Sequence, residues 1–229
     1  MHAPPYSSAS KRDVSESLNW SGVELIGTKY TSVTGTIVVP TIDPSASNYT
    51  EGTQYGGAIW VGIDGDSCAA LLQTGIFLTI EDGVVGYSAW ACWLPDVDTL
   101  DVSISAGDSI QMTVTAIGTN SGIAVIDNLS TGVSANYSYT DIENDYGDLC
   151  GQTAEWIVED YAIDVEYDLI PFIDYGSVEF TGCSAVTEDE TVDMSGAAQV
   201  EILEMVSETT GAVVSNCTYA QDTVTCAYL

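Results

Sequence analysis

The chain has 229 residues, in which 34 Asp and Glu stand against three Lys and Arg and one His, for a formal net charge of −31 at pH 7. So many carboxylates repel one another and destabilise a compact chain near neutral pH, whereas most carboxyls are protonated at about pH 2 to 4. The composition therefore predicts a protein of acidic extracellular media, and it disfavours nucleic-acid partners because an acidic surface repels phosphates.

Residues 1–17 are polar and rich in Ser and Pro, and they contain Lys11 and Arg12, two of the three basic side chains. This segment is predicted to be a disordered N-terminal tail or a propeptide remnant. Residues 18–229 show no internal repeat or linker, and no run approaches the roughly 18 apolar residues of a membrane span. They are predicted to form a single domain around one core.

Short segments rich in Val, Ile, Thr and Tyr follow one another through this domain, separated by Gly, Asn, Asp and Ser. In chain order they include residues 34–39 (TGTIVV), 58–63 (AIWVGI), 109–116 (SIQMTVTA) and 154–159 (AEWIVE). Alternation gives each segment two faces, and turn signals recur at the intervals of a large sandwich. The pattern predicts an all-β fold, built as a two-sheet antiparallel β-sandwich.

The six cysteines form an even set, as in a disulfide-bonded chain of extracellular character. Cys217 and Cys226 flank a segment, TYAQDTVT, that is predicted to be a tight β-hairpin, so they are the first candidate pair. Cys68 and Cys150 are the second. The other two cysteines either form a third bridge or remain free buried thiols, since free cysteine packs as a small hydrophobe.

Residue types exclude most catalytic systems. The single histidine, His2, lies in the predicted tail, which deprives Ser-His-Asp and Cys-His systems of their base and a zinc site of its usual ligand. A calcium site at Asp64 and Asp66 is disfavoured because its carboxylates would be protonated in acid. The Asp-Thr-Gly and Asp-Ser-Gly loops of aspartic peptidases are absent. We therefore expect no metal and no cofactor, and carboxyls and amides remain to carry out the chemistry.

Two segments contain the strongest motifs: residues 60–68 (WVGIDGDSC) running into 71–75 (LLQTG), and residues 154–161 (AEWIVEDY). They closely resemble the glutamic peptidases, or eqolisins, which are secreted acid endopeptidases. Further matches extend the resemblance from Asn19 to the C-terminus, at 19–22 (NWSG), 107–110 (GDSI), 128–132 (NLSTG) and 171–172 (PF). The resemblance implies a concanavalin A-like jelly-roll sandwich, protein or peptide substrates, and a chain that acts as a monomer outside the cell.

The resemblance also assigns roles to individual residues. The family's catalytic glutamine corresponds to Gln73 and its catalytic glutamate to Glu159. Trp60 and Asp64 are expected beside the cleft, where Asp64 would hydrogen-bond to the dyad or to substrate, and Trp90 is expected to contact substrate. In this mechanism Glu159 takes a proton from water, and the Gln73 amide stabilises the oxyanion.

One departure from the family pattern concerns Cys92. The family commonly has an acidic residue in a Trp-x-Glu-Trp segment near the active site, whereas this chain reads WACW at residues 90–93. Cys92 therefore stands where a cleft carboxyl is expected, which bears on substrate preference and on the pH optimum.

Strand alternation adds an expectation that is independent of the resemblance. Glu155, Ile157 and Glu159 should share one face of their strand, and Trp156 should pack between the sheets. Glu155 would then line the cleft as well. The same pair of acids defines an alternative function, a glycoside hydrolase, although residues four apart on a strand lie roughly 13 Å apart and the two carboxyls of a glycosidase lie about 5–9.5 Å apart. A glycan-binding module on the same scaffold is the third possibility.

Overall fold

The computed structural model describes residues 12–45, 49–162 and 169–229, and within these ranges the regular structure consists of β-strands. No helix in the described part of the chain is long and apolar enough to cross a membrane. In chain order the strands are β1 (Arg12–Ser17), β2 (Trp20–Ile26), β3 (Tyr30–Val38), β4 (Tyr55–Asp64), β5 (Leu71–Glu81), β6 (Val84–Trp93), β7 (Asp96–Leu100), β8 (Ser109–Ala116), β9 (Gly122–Asn128), β10 (Val133–Tyr139), β11 (Thr153–Glu159), β12 (Ser177–Thr187), β13 (Thr191–Val192), β14 (Gln199–Val206), β15 (Val213–Ala220) and β16 (Thr223–Tyr228).

Hydrogen bonds connect the strands in one path, β10-β9-β8-β3-β12-β16-β15-β14-β2-β11-β4-β5-β6-β7, with β1 added at β14 and β13 at β12. A short pairing of β15 with β14, with a register shift between Met205 and Val206, joins the two halves of this path, β10 to β15 and β14 to β7. The two halves then lie face to face, with β3 and β8 against β4, and β8 and β9 against β5. The predicted all-β sandwich is confirmed, and all its strand pairs are antiparallel except β1 with β14.

Alternation along β4, β5, β6 and β11 separates two apolar clusters. One face of these strands contributes to the large core between the two halves of the sandwich, which includes Trp156 and Val61. The opposite face forms a smaller cluster that includes Trp60, Trp90 and Ile157. Trp156 and Ile157 thus point to opposite faces, as the period of two predicted. The smaller cluster underlies the concave side of the sheet.

Residues 12–17, predicted to belong to a disordered tail or a propeptide remnant, are not disordered but form strand β1. β1 pairs in parallel with β14, from Arg12 opposite Val200 to Ser17 opposite Met205. A segment of mostly polar side chains can add to an open sheet edge because main-chain hydrogen bonds, which are independent of side-chain type, form most of the contact. Residues 1–11, including His2 and Lys11, lie outside the described part.

Both predicted disulfides are confirmed. Cys68 is bonded to Cys150, and Cys217 is bonded to Cys226 across the β15–β16 hairpin. The remaining two cysteines, on β6 and β12, are free and buried.

Candidate active site

An open cleft of about 1010 Å³ lies on the concave side of the sheet, above the smaller apolar cluster. Strands β4, β5, β6 and β11 form its floor. Gln73, Trp90, Cys92 and Glu159 all line this cleft, so the structure brings together residues from sequence positions more than 80 apart. The sheet order β11-β4-β5-β6 is what makes them neighbours.

Glu159 is the last residue of β11, and its carboxyl is held by side chains from two neighbouring strands and their connections. The indole nitrogen of Trp60 on β4 donates a hydrogen bond to Glu159 Oε2 over 2.7 Å. Asn19 Nδ2 donates to Oε1 over 3.4 Å, and the main chain of Asn19 accepts a hydrogen bond from the Asp160 N–H. These contacts fix the end of β11 and the direction of the carboxyl.

Two opposing effects set the pKa of Glu159. Burial raises this pKa above its ordinary value and is the larger effect, while hydrogen bonding to Trp60 is the strongest of the effects that lower it. Trp20 also favours the charged form, although its indole N–H makes no hydrogen bond of normal geometry with the described residues. Trp20 packs edge-on against Trp60, with ring centroids 5.0 Å apart. The pKa of Glu159 therefore lies above its ordinary value, although by less than burial alone would raise it.

Gln73 reaches the same cleft from β5. It lies opposite Gly62 of β4 on one side and Cys92 of β6 on the other. Its side chain is 7% exposed, and its Oε1 has no hydrogen-bond partner among the described residues. Because β4 separates β5 from β11, Gln73 and Glu159 lie on either side of the strand that holds Trp60. The amide and the carboxyl thus reach the same cleft from two different strands.

Glycine at position 62 keeps the Trp60 ring close to the sheet. A Cβ atom built on Gly62 would lie 2.8 Å from Cζ3 of Trp60, nearer than real Cβ contacts allow. The glycine therefore lets the indole lie flat over the strand, with its nitrogen directed at Glu159. Trp60 is fully buried and acts from beneath the cleft, since it is not among the described side chains that line it.

Aromatic and aliphatic side chains form the walls. Trp90 stacks on Phe77 with centroids 4.9 Å apart and planes inclined by 22°, and Phe77 contacts Tyr161 at the same distance. Leu18 and Val97, both more than half exposed, lie at the rim. An extended peptide with apolar side chains fits such walls, since aromatic rings bury large areas of a ligand.

Asp64 does not reach the cleft, contrary to expectation. It is fully buried at the end of β4, and its two oxygens accept hydrogen bonds from the main-chain N–H groups of Cys150, Gly151 and Gln152 over 2.7–2.8 Å. The carboxylate holds the loop that enters β11, so it supports Glu159 from a distance. With Cys68 and Cys150, Asp64 forms the only cluster of potential metal ligands among the described residues, but the two sulfurs of this cluster are joined in the disulfide.

Glu155 shares the face of Glu159, as predicted, but is not among the described side chains that line the cleft. It is fully buried opposite Glu24 of β2, and its Oε1 accepts a hydrogen bond from Thr153 over 2.6 Å. Burial and the neighbouring Glu24 raise the pKa of Glu155 well above its ordinary value. Glu155 lies opposite Gly62, which lies opposite Gln73, so its burial against β2 and not its position along the strand keeps it out of the cleft.

Several residues of the site were not assigned from the sequence. Asn19 and Trp20 contact Glu159, and Phe77 and Tyr161 form the aromatic wall. The motif NWSG at residues 19–22 was the available signal for the first two. Phe77 had none, since an aromatic residue in a strand is most often part of a core.

Comparisons with known proteins identify relatives of the whole chain. The model of the Peptidase A4 family matches residues 18–228. Aspergillopepsin-2 of Aspergillus niger is 38% identical over 251 aligned residues, covering 99% of this chain and 86% of that protein. Scytalidopepsin B of Scytalidium lignicola is 35% identical, covering 100% of this chain and 85% of that protein. A crystal structure of scytalido-glutamic peptidase with a peptide-based transition-state analogue superposes with a TM-score of 0.78 at 34% identity, covering 92% of this chain and 98% of that one.

Proposed function

Because this chain belongs to the Peptidase A4 family, the glutamic peptidases or eqolisins, we propose that it is a secreted acid endopeptidase whose catalytic pair is Gln73 and Glu159. The observation that carries the proposal is the cleft itself. It presents one carboxyl oriented by an indole N–H and one amide with a free oxygen, above a floor of apolar side chains.

The mechanism follows from these two groups. Glu159 in its charged form takes a proton from a water held between its carboxylate and the Gln73 carboxamide, and the water oxygen attacks the scissile carbonyl carbon. The Gln73 amide N–H donates to the oxyanion of the tetrahedral intermediate. Protonated Glu159 then gives its proton to the leaving nitrogen, the C–N bond breaks, and the carboxylate is regenerated. No covalent intermediate and no metal ion enter this sequence of steps.

Peptide substrates suit both the walls and the electrostatics of the cleft. The related scytalido-glutamic peptidase has been crystallised with a peptide-based transition-state analogue, which supports an extended peptide as the ligand here. The net charge of −31 supports action in acid, where the carboxyls lose their mutual repulsion, and the two disulfides support an extracellular site of action. The chain is proposed to act as a monomer.

The glycosidase alternative loses its predicted pair of acids, because Glu155 does not line the cleft with Glu159. Its mechanism needs two acids across one bond, about 5–9.5 Å apart. Glu155, the predicted partner of Glu159, is fully buried against Glu24 instead of lining the cleft. The family match and both curated relatives also point to peptide hydrolysis.

Digestion of haemoglobin and of a β-glucan between pH 2 and 6 tests the proposal. We expect proteolysis that resists pepstatin and no release of sugar. Glu159→Gln and Gln73→Ala should each lower kcat at least 10²-fold, the usual scale for loss of a catalytic proton carrier or oxyanion donor. Glu81→Gln, an exposed acid on β5, is the control and should keep full activity. Wild-type activity in either dyad variant would refute the assignment.

A further inference from the structure

The Cys92 thiol lies beside Gln73 in the floor of the cleft. The two residues are directly opposite each other on β5 and β6, and both line the cleft. Residues so paired have Cβ atoms about 4.5–5.5 Å apart. At that separation the Gln73 amide is within reach of the Cys92 sulfur, and it lowers the pKa of the thiol against the larger effect of burial. The contact is thus imposed by the hydrogen-bond ladder of two long central strands.

Gln73 has few other polar contacts. The residue is 7% exposed, and its Oε1 has no hydrogen-bond partner in the described part of the chain. A carboxamide has a donor end and an acceptor end, and they exchange places when the group turns over. Only one of these orientations presents the N–H to an oxyanion. A residue that fixes the orientation would therefore contribute to catalysis.

Cys92 has the properties needed to fix the orientation of the Gln73 carboxamide. Burial raises the pKa of its thiol to about 12, so the group is neutral in acid and places no charge near Glu159. A neutral thiol is both a weak donor and a weak acceptor. The residue is 1% exposed and packs with Trp60, Trp90 and Leu71, which prevents the sulfur from moving away from the amide.

We propose that Cys92 is a positioning residue for Gln73, holding its carboxamide in the orientation that directs the N–H at the developing oxyanion. The inference rests on the proposed function of Gln73. It assigns to the thiol no contact with substrate and no covalent step. It also gives the departure WACW at residues 90–93 a role in the reaction itself.

Kinetics of three variants test the proposal. Cys92→Ala removes the polar contact and should lower kcat about tenfold with KM within about twofold, because an oxyanion donor acts in the transition state and its full removal costs about 10²–10³-fold. Cys92→Ser restores a donor and acceptor and should recover kcat to within about twofold. The matched control is Cys183→Ala on β12, the other free thiol, also 1% exposed but not part of the described cleft lining. It should leave both constants unchanged.

A second readout does not depend on activity. The side-chain amide signals of Gln73 in a ¹⁵N–¹H spectrum at pH 4 are identified by their loss in Gln73→Ala. They should shift in Cys92→Ala and stay in place in Cys183→Ala. Unchanged kcat in Cys92→Ala overturns the proposal, and so does a fall in kcat without a shift of the Gln73 signals. A wild-type chain that cleaves no protein overturns the proposed function and with it the catalytic role of Cys92, whereas the spectra still decide whether Cys92 orients the amide.

Discussion

The indole N–H of Trp60 donates to Oε2 of Glu159 over 2.7 Å from beneath the cleft, shielded from solvent. A hydrogen bond to the charged form of a carboxyl lowers its pKa, so Trp60 opposes the effect of burial on Glu159. This contact stabilises the ionised form of Glu159, which is the form that the proposed general base requires.

Trp60→Phe should move the acid limb of the kcat/KM profile to higher pH. The hydrogen bond to a charged group is worth about 1.5–3 kcal/mol, and about 1.4 kcal/mol corresponds to one pKa unit, so we expect a shift of about one unit or more. Trp90→Phe changes the wall without touching Glu159 and should alter KM while leaving that limb in place. An unmoved limb in Trp60→Phe would contradict the role given to the indole.

Glu24 and Glu155 should make the fold sensitive to neutral pH. They are buried directly opposite each other on β2 and β11, and both oxygens of Glu24 lack hydrogen-bond partners among the described residues. Burial, with smaller contributions from Asp66 and Glu201, raises the pKa of Glu24 to about 8. The folded chain thus holds a proton that the unfolded chain releases above about pH 4.5, so the free energy of unfolding falls as pH rises from there to about 8.

Glu24→Gln should therefore raise the free energy of unfolding at pH 7 by about 3 kcal/mol and have little effect at pH 3.5. Denaturation by urea at the two pH values measures the difference. Glu81→Gln, which changes the net charge equally at an exposed position, separates the local effect from the general one. Equal gains in the two variants would show that overall charge, and not this pair, limits stability.

Asp64→Asn should destabilise the loop that leads into β11. The carboxylate accepts three short main-chain hydrogen bonds from Cys150, Gly151 and Gln152, and an amide can accept from only one side. We expect a loss of about 3 kcal/mol in unfolding free energy. Asp66→Asn, two residues away and exposed, should change stability by less than about 0.5 kcal/mol. Comparable losses in both variants would contradict the role of Asp64.

The two disulfides should differ in their effect on stability. Cys68 and Cys150 are 82 residues apart in sequence, whereas Cys217 and Cys226 are nine apart. By the chain-entropy relation, the first should contribute about 4.5 kcal/mol and the second about 2.7 kcal/mol. Replacing each pair with serine and measuring thermal unfolding at pH 3.5 checks the order. A larger loss of stability without Cys217–Cys226 would mean that contacts in the folded state, and not the entropy of the unfolded chain, dominate the contribution of the disulfides.

Local patterning was enough to predict the all-β class and segments of β3, β4, β8 and β11, the opposite orientation of Trp156 and Ile157, and the hairpin disulfide. These features depend on the period of two and on short-range spacing, which the sequence contains directly. The strand at Arg12–Ser17 escaped prediction because its stability comes from pairing with β14, almost 190 residues away, and not from its own composition.

By itself, the sequence limited the chemistry that is available: one histidine and three basic side chains leave carboxyls and amides, and the resemblance of its motifs to the family points to Gln73 and Glu159. Only the tertiary structure decided the use of each carboxyl. Asp64, Glu155 and Glu159 are all acids near the family motifs, yet one binds main-chain amides, one is buried against Glu24, and one enters the cleft. The order and register of β2, β11, β4 and β5 set those environments, and these are properties of residues far apart in the chain.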